Sequence, residues 1–215
     1  MINTIGFYEM VQMIRGAIDQ VKNRHKLLSE LDSAVGDGDH GTTMLRAMKN
    51  VEKLIGEINK DDLKNLLHSV GWTFLGVDGG ATGPLLGVLF MGMSEYFVEK
   101  QTLDCKDLAA MFEQGLAAIQ KQTKAKKGDK TMLDALIPAV EALNRASSQK
   151  KTILEALHGA AEAAETGAIS TKNMKAGFGR AKNLGDRALG CQDPGAKSIS
   201  LIFEGFYQGI QSIGT

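Results

Sequence analysis

A chain of 215 residues with 43% hydrophobic content is long enough to bury a substantial core. Its 25 Lys and Arg balance its 25 Asp and Glu, so no net charge draws it to nucleic acid or to an anionic membrane surface. Two cysteines, Cys105 and Cys191, form neither a metal-type nor a redox-type pair, and two are no disulfide framework.

Aromatic residues are 6% and clean apolar alternation is scarce, so strand signals are weak, while helical periodicity runs throughout. The first helix is expected from about Thr4 to Leu31, on a stripe of Phe7, Met10, Val11, Ile14, Ile18, Val21 and Leu28. The opening residues, MINTIGFYEMVQMIRG, lack a charged n-region, a continuous apolar stretch and a cleavage motif. The second helix opens near Thr43 with Met44, Ala47, Met48 and Val51; the third starts at Asp61–Asp62, two acids suited to a helix N-terminus. The fourth runs from about Gly83 to Val98. Its apolar run, GPLLGVLFMGM, is too short to span a bilayer. The expectation is a soluble cytoplasmic protein with no nucleic-acid and no membrane partner. The fifth helix starts near Asp104, the sixth near Lys130, the seventh is ILEALHGAAEAAETGAI, and the eighth follows Pro194. Neither a repeat nor a linker cuts the chain, so residues 1–215 read as a single domain.

The connections fall into two kinds. GEINKDD, EKQTLDCKD and SSQKKT are ordinary polar links. The first, third, fifth and seventh connections are rich in glycine, charge and hydroxyls: DSAVGDGDHGTT, GVDGGATGP, KAKKGDKT and KAGFGRAKNLGDRALGCQDPGA. In an up-and-down helical array, alternate connections share one end. All four should therefore converge on one face.

The first of these loops crowds Asp32, Asp37 and Asp39 together. Its GDGDHG satisfies G-x-G-x-x-G, but a dinucleotide fingerprint needs a preceding strand, and RHKLLSELDSAV reads as helix. A P-loop fails because Thr42 stands where the lysine should be, and an EF-hand fails because its sixth and last positions hold Thr42 and Met48. What remains is a set of carboxylates that would repel one another unless a hard divalent cation such as Mg²⁺ joined them. Gly41, Thr42 and Thr43 follow, where a helix begins and free N–H groups and hydroxyls suit phosphate. An N-capped Asp-Gly turn with scattered charge is the plainer alternative. In the other loops, Ala81, Thr82 and Gly83 offer N–H groups before Pro84. Met132 and Leu133 suit a base pocket or core packing, and lysines near Gly128 suit phosphate or solvent. Arg180, Arg187 and Lys182 lie among glycines, and Asp193 caps the last helix with Pro194 first in it. His25, His68 and His158 lie on helices; His40, in the charged loop, could contact phosphate or orient an aspartate. With no nucleophile–base pair in evidence, the chemistry that fits is phosphoryl transfer, where position and charge do most of the work.

LDSAVGDGDHGTTM, GGATGPLLG, KKGDKTMLDALIPAV and GRAKNLGDRALGCQDPGA together resemble the DhaL family, the nucleotide-binding L subunit (Dak2-type domain) of dihydroxyacetone kinases. The motifs occur in family order across residues 31 to 196. The resemblance implies an all-α barrel of eight antiparallel amphipathic helices with ADP or ATP at one end. It implies two Mg²⁺ ions held by Asp32, Asp37 and Asp39. It implies nucleotide contacts from His40, Gly41, Thr42, Thr43, Ala81, Thr82, Met132, Arg180, Asp193, Pro194 and Gly195. The ketose would sit on a separate K subunit, so no catalytic residue for it is expected in this chain. Phosphate would come from exchanging ATP, or from bound ADP recharged by a DhaM-like phosphotransferase subunit; the residues serve both modes. The alternative is a nucleotide-sensing interaction protein that controls a transcription regulator.

Overall fold

The computed structural model describes residues 2–58, 62–97 and 101–214. Among them the secondary structure is helical, apart from one isolated antiparallel bridge between Ile5 and Leu103. Eight α-helices follow in order: α1 (Phe7–Ser33), α2 (His40–Glu57), α3 (Leu63–Leu75), α4 (Thr82–Ser94), α5 (Cys105–Gln122), α6 (Leu133–Ser148), α7 (Ile153–Ser170) and α8 (Pro194–Gln211). Two 3₁₀ stretches, Thr171–Asn173 and Arg180–Ala188, shape the last long connection. The all-α expectation holds. Asp61 and Val98, expected at the start of the third helix and the end of the fourth, lie outside the described residues.

The helix starts follow local chemistry. Asp62 accepts a hydrogen bond from Asn65 N (2.8 Å) ahead of α3. Asp104 and Asp107 cap each other's amides ahead of α5, and Thr152 and Glu155 do the same ahead of α7. Asp193 accepts from Ala196 N (2.7 Å), with Pro194 first in α8 as expected. Three starts depart from expectation. α1 opens at Phe7 rather than near Thr4, because Ile5 exchanges backbone hydrogen bonds with Leu103 (2.8 and 2.9 Å). α2 opens at His40 rather than near Thr43, because His40 N donates to Asp32 Oδ2 (3.2 Å) and Thr43 N already bonds Asp39 O (2.9 Å). α6 opens at Leu133, after Lys130 takes a left-handed φ of 59° that interrupts any helix there.

Each helix packs on the next in sequence, and α8 returns onto α1, closing a ring. The closing seam depends on glycine. A Cβ on Gly16 would strike the carbonyl of Gly205, and one on Gly209 would strike that of Gln12, so α1 and α8 meet backbone to backbone. One hydrophobic cluster joins all eight helices. At its middle, Phe112 of α5 meets Phe203 and Phe206 of α8, with ring centroids 5.3 and 5.8 Å apart. None of the described helices is long and apolar enough to cross a membrane.

Candidate functional site

A cavity of about 520 Å³ opens at one end of the ring. Its wall draws on all four rich connections, including Asp39 and His40, Ala81 and Thr82, Lys130 and Thr131, and Arg180 with Asp193. The convergence expected from alternating connections is therefore present. The starts of α4, α6 and α8 meet at Gly195, where a Cβ would lie 3.0 Å from Thr82 Oγ1 and 3.5 Å from Met132 Cβ.

The helix ends differ between the two faces. At the far face, α3, α5 and α7 begin with side-chain caps. At the cavity, α2 and α4 begin at Asp39 and Ala81 with no side-chain cap. Among the described residues, the N–H groups of Gly41, Thr42, Thr82 and Gly83 make no backbone hydrogen bond outside their helices. Two helix starts thus leave donors and the positive ends of their dipoles available to an anion.

Beside them stand the three aspartates. Asp32 is buried at the end of α1, Asp39 is half-buried, and Asp37 is exposed. One carboxylate oxygen from each lies within 4.8 Å of the others. Arg180 Nη1 bonds Asp37 and sits 3.7 Å from Asp39 Oδ1, so a cation already faces the cluster. Desolvation works against the charge on Asp37, but the Arg180 guanidinium and the amides of Asp37 and Asp39 outweigh it and hold this carboxyl below its usual range.

His40 is buried as the first residue of α2 rather than lying in the loop. Its Nε2 pairs with Ser198 Oγ at 2.8 Å. Burial lowers its pKa against the pull of Asp32 and Asp39, so the ring is neutral at pH 7. Asp193 shows the opposite displacement. Enclosure is the main cause and lifts its carboxyl to about 7, against the Ala196 amide and Lys130.

Not every expected residue is on the cavity wall. Gly41 packs against α1, where a Cβ would meet the carbonyl of His25. Thr42 is exposed and donates its hydroxyl to Asp39 O (2.8 Å), while buried Thr43 packs against Gly79. The early start of α2 turns these side chains away, so Gly41 and Thr42 can offer only backbone N–H groups. Pro194, Gly195, Ala81, Thr82 and Met132 do line the cavity.

Of the two uses left open for the lysines near Gly128, phosphate or solvent, Lys130 does not take the solvated one: it is 1% exposed. Its Nζ donates to Thr171 O and to Cys191 O, both at 2.5 Å. It thereby ties together the two ends of the connection that carries Arg180. Gly190 N to Lys172 O (2.8 Å) and Asp193 N to Thr171 Oγ1 (2.9 Å) close the same neck. Burial lowers the Lys130 pKa, opposed by nearby Asp193, Cys191 and Asp134. Asp134 is also buried and holds the approach to α6 by accepting from Gly128 N (2.5 Å) and Thr131 N (2.8 Å). The Thr131-to-Asp134 spacing is a capping-box pattern that would have found it. Ser198 carries no sequence signal of its own.

Comparison with known proteins sets this geometry in context. A family model described as the DAK2 domain matches residues 34–208. The chain is 37% identical over 190 residues to the ADP-binding subunit DhaL of PEP-dependent dihydroxyacetone kinase 1 from Listeria innocua serovar 6a, covering 88% of this chain and 90% of the relative. It is 36% identical over 196 residues to the ADP-binding subunit DhaL of the PEP-dependent dihydroxyacetone kinase of Escherichia coli K12, covering 91% and 93%. Among solved structures it resembles the dihydroxyacetone kinase from C. freundii in complex with AMP-PNP and Mg²⁺, with a TM-score of 0.72 and 26% identity. That match covers 91% of this chain and 33% of the solved one. The chain therefore spans about a third of that kinase.

Proposed function

The chain belongs to the DAK2-domain family, and from that premise we propose that it is the nucleotide-binding, phosphoryl-donor subunit of a kinase for dihydroxyacetone or another small ketose. The ketose is held on a separate K subunit. The observation that carries the reading is the pairing of two uncapped helix starts with three clustered carboxylates on one cavity. One feature suits phosphate and the other a hard cation, and a metal–nucleotide needs both.

The donor set fits Mg²⁺: three oxygen ligands lie close enough to share one centre, and a guanidinium already stands against them. Asp32, Asp37 and Asp39 would hold it, two ions on the family's pattern, and it would neutralise phosphate charge. The chain's own groups do the rest. The N–H groups of Gly41, Thr42, Thr82 and Gly83 donate to phosphate oxygens. Arg180 faces the same charge from the long connection. His40, neutral and locked to Ser198, holds the start of α2 in place without adding charge. Asp193 keeps the start of α8 against Thr82 and Met132. Position and electrostatics then account for the transfer to an acceptor brought by the partner.

ADP as a retained coenzyme, recharged by a DhaM-like subunit, is the favoured mode, supported by relatives named ADP-binding subunits of PEP-dependent kinases. The test is nucleotide content. The purified chain is dialysed, denatured and assayed for released nucleotide by chromatography. Near-stoichiometric ADP is expected. An empty protein that binds Mg·ATP reversibly would replace the relay by direct ATP use. A protein that neither retains nor binds nucleotide with Mg²⁺ overturns the donor reading.

A further inference from the structure

The cavity wall mixes two chemistries: Asp32, Asp39 and His40 are polar or charged, and Leu85, Met132 and Leu133 are apolar. Residues 178–181 line the same cavity. Gly177 N donates to Asp129 O (2.9 Å), and Arg180 reaches Asp37 and Asp39, so the segment that carries Phe178 is anchored on both sides. Gly179, at φ 68°, turns the backbone between Phe178 and Arg180.

Phe178 is the large apolar side chain on this segment, and folding does not account for it. The connection has its own small core of Val35, Ala181 and Ala188, with Ala176, Leu184 and Cys191 against it. Phe178 belongs neither to that core nor to the main one among the described residues. It lines the cavity instead and is 36% exposed. A ring kept partly in water beside an apolar pocket gains by covering a flat, π-faced ligand.

We propose that Phe178 is a specificity-determining residue that stacks on the nucleotide base, so that the cavity selects a nucleoside phosphate over bare phosphate. Phe178 shares the cavity wall with Leu85, Met132 and Leu133, while Arg180, two residues on, meets the aspartates, so one short segment serves both base and phosphates. The inference rests on the donor reading and adds to it which residue reads the base.

Calorimetric titrations of the full chain with Mg·ADP and with Mg·pyrophosphate separate the two. Phe178→Ala should weaken Mg·ADP roughly tenfold, the low end of base–aromatic stacking for a ring that stays partly wet, and leave Mg·pyrophosphate unchanged. Phe178→Trp should bind Mg·ADP at least as tightly as the parent, with its indole emission changing on binding. Unchanged Mg·ADP affinity in Phe178→Ala overturns the assignment. Equal weakening of both ligands also overturns it, because Phe178 would then only support the segment carrying Arg180. If the parent protein binds pyrophosphate but not ADP, the base site is absent while the phosphate site stands. If it binds neither, the donor reading falls and this inference with it.

Discussion

Asp37 is exposed and meets its partner Arg180 on the surface, so its charge contributes little to folding. Its neighbours Asp32 and Asp39 make it costly in another sense, since three carboxylates within 4.8 Å need positive charge. Asp37→Asn should leave circular dichroism and stability within about 0.5 kcal/mol of the parent. The same variant should bind Mg·ADP at least about 100-fold more weakly by calorimetry, because it removes a carboxylate proposed to hold the metal. Retained affinity would remove Asp37 from the metal site. Asp193 sets a different test. Its carboxyl titrates near 3.8 when unfolded and at about 7 when folded. Between those values the folded state holds the extra proton, so stability of the ligand-free protein falls as pH rises from about 4 to 7. Asn keeps the cap on Ala196 N and removes the titration. Asp193→Asn should flatten that slope by an amount on the order of a few kcal/mol, read from urea unfolding at several pH values.

At the scale of elements, the long connection after α7 depends on one lysine. Lys130→Met keeps the buried stem and the strained backbone but leaves Cys191 O without its donor and Thr171 O with Met174 N (3.2 Å) alone. A loss of about 1–3 kcal/mol is expected, with faster hydrogen exchange concentrated in residues 171–193 and weaker Mg·ADP binding. Exchange rising evenly across the chain would show that Lys130 supports the whole fold instead. The same elements show what can be read from sequence. Asp104, Thr152 and the Asp193-Pro194 pair announce their helices because each cap is a local signal. The start of α2 is hidden, since Gly38, Asp39 and Gly41 look like loop and the bond that sets it comes from Asp32, eight residues back. Lys130 is equally hidden: its burial depends on carbonyls 41 and 61 residues away. The 3₁₀ stretch Arg180–Ala188 carries no long apolar period to betray it. The motif residues could be grouped because alternating connections share an end, but which side chains face the cavity follows from helix rotation, which long-range bonds decide.

For the whole molecule, the two faces divide labour. The far face satisfies the starts of α3, α5 and α7 with its own side chains, while at the cavity Asp193 caps α8 but α2 and α4 leave donors, beside carboxylates, that a metal–nucleotide would complete. Stability should therefore follow ligand concentration. At 100 times its dissociation constant, Mg·ADP should add about 2.7 kcal/mol, a rise of about 5–10 °C in melting temperature for a chain of this size. Chelation of Mg²⁺ should abolish the rise, and a melting curve indifferent to both would contradict a site that is completed on binding.

The seam of α1 against α8 has a topological consequence. Because the ring closes there, residues near the two ends are neighbours; a Cβ on Gly214 would lie 3.6 Å from Ile2 Cδ1. The order in which the helices are threaded is then separable from the shape they make. A circular permutant that joins the ends by a short glycine–serine bridge and opens the chain between Gln149 and Lys151 cuts the face opposite the cavity, leaving every cavity-lining connection unbroken. Such a permutant should fold and bind Mg·ADP like the parent, although its new first helix is α7.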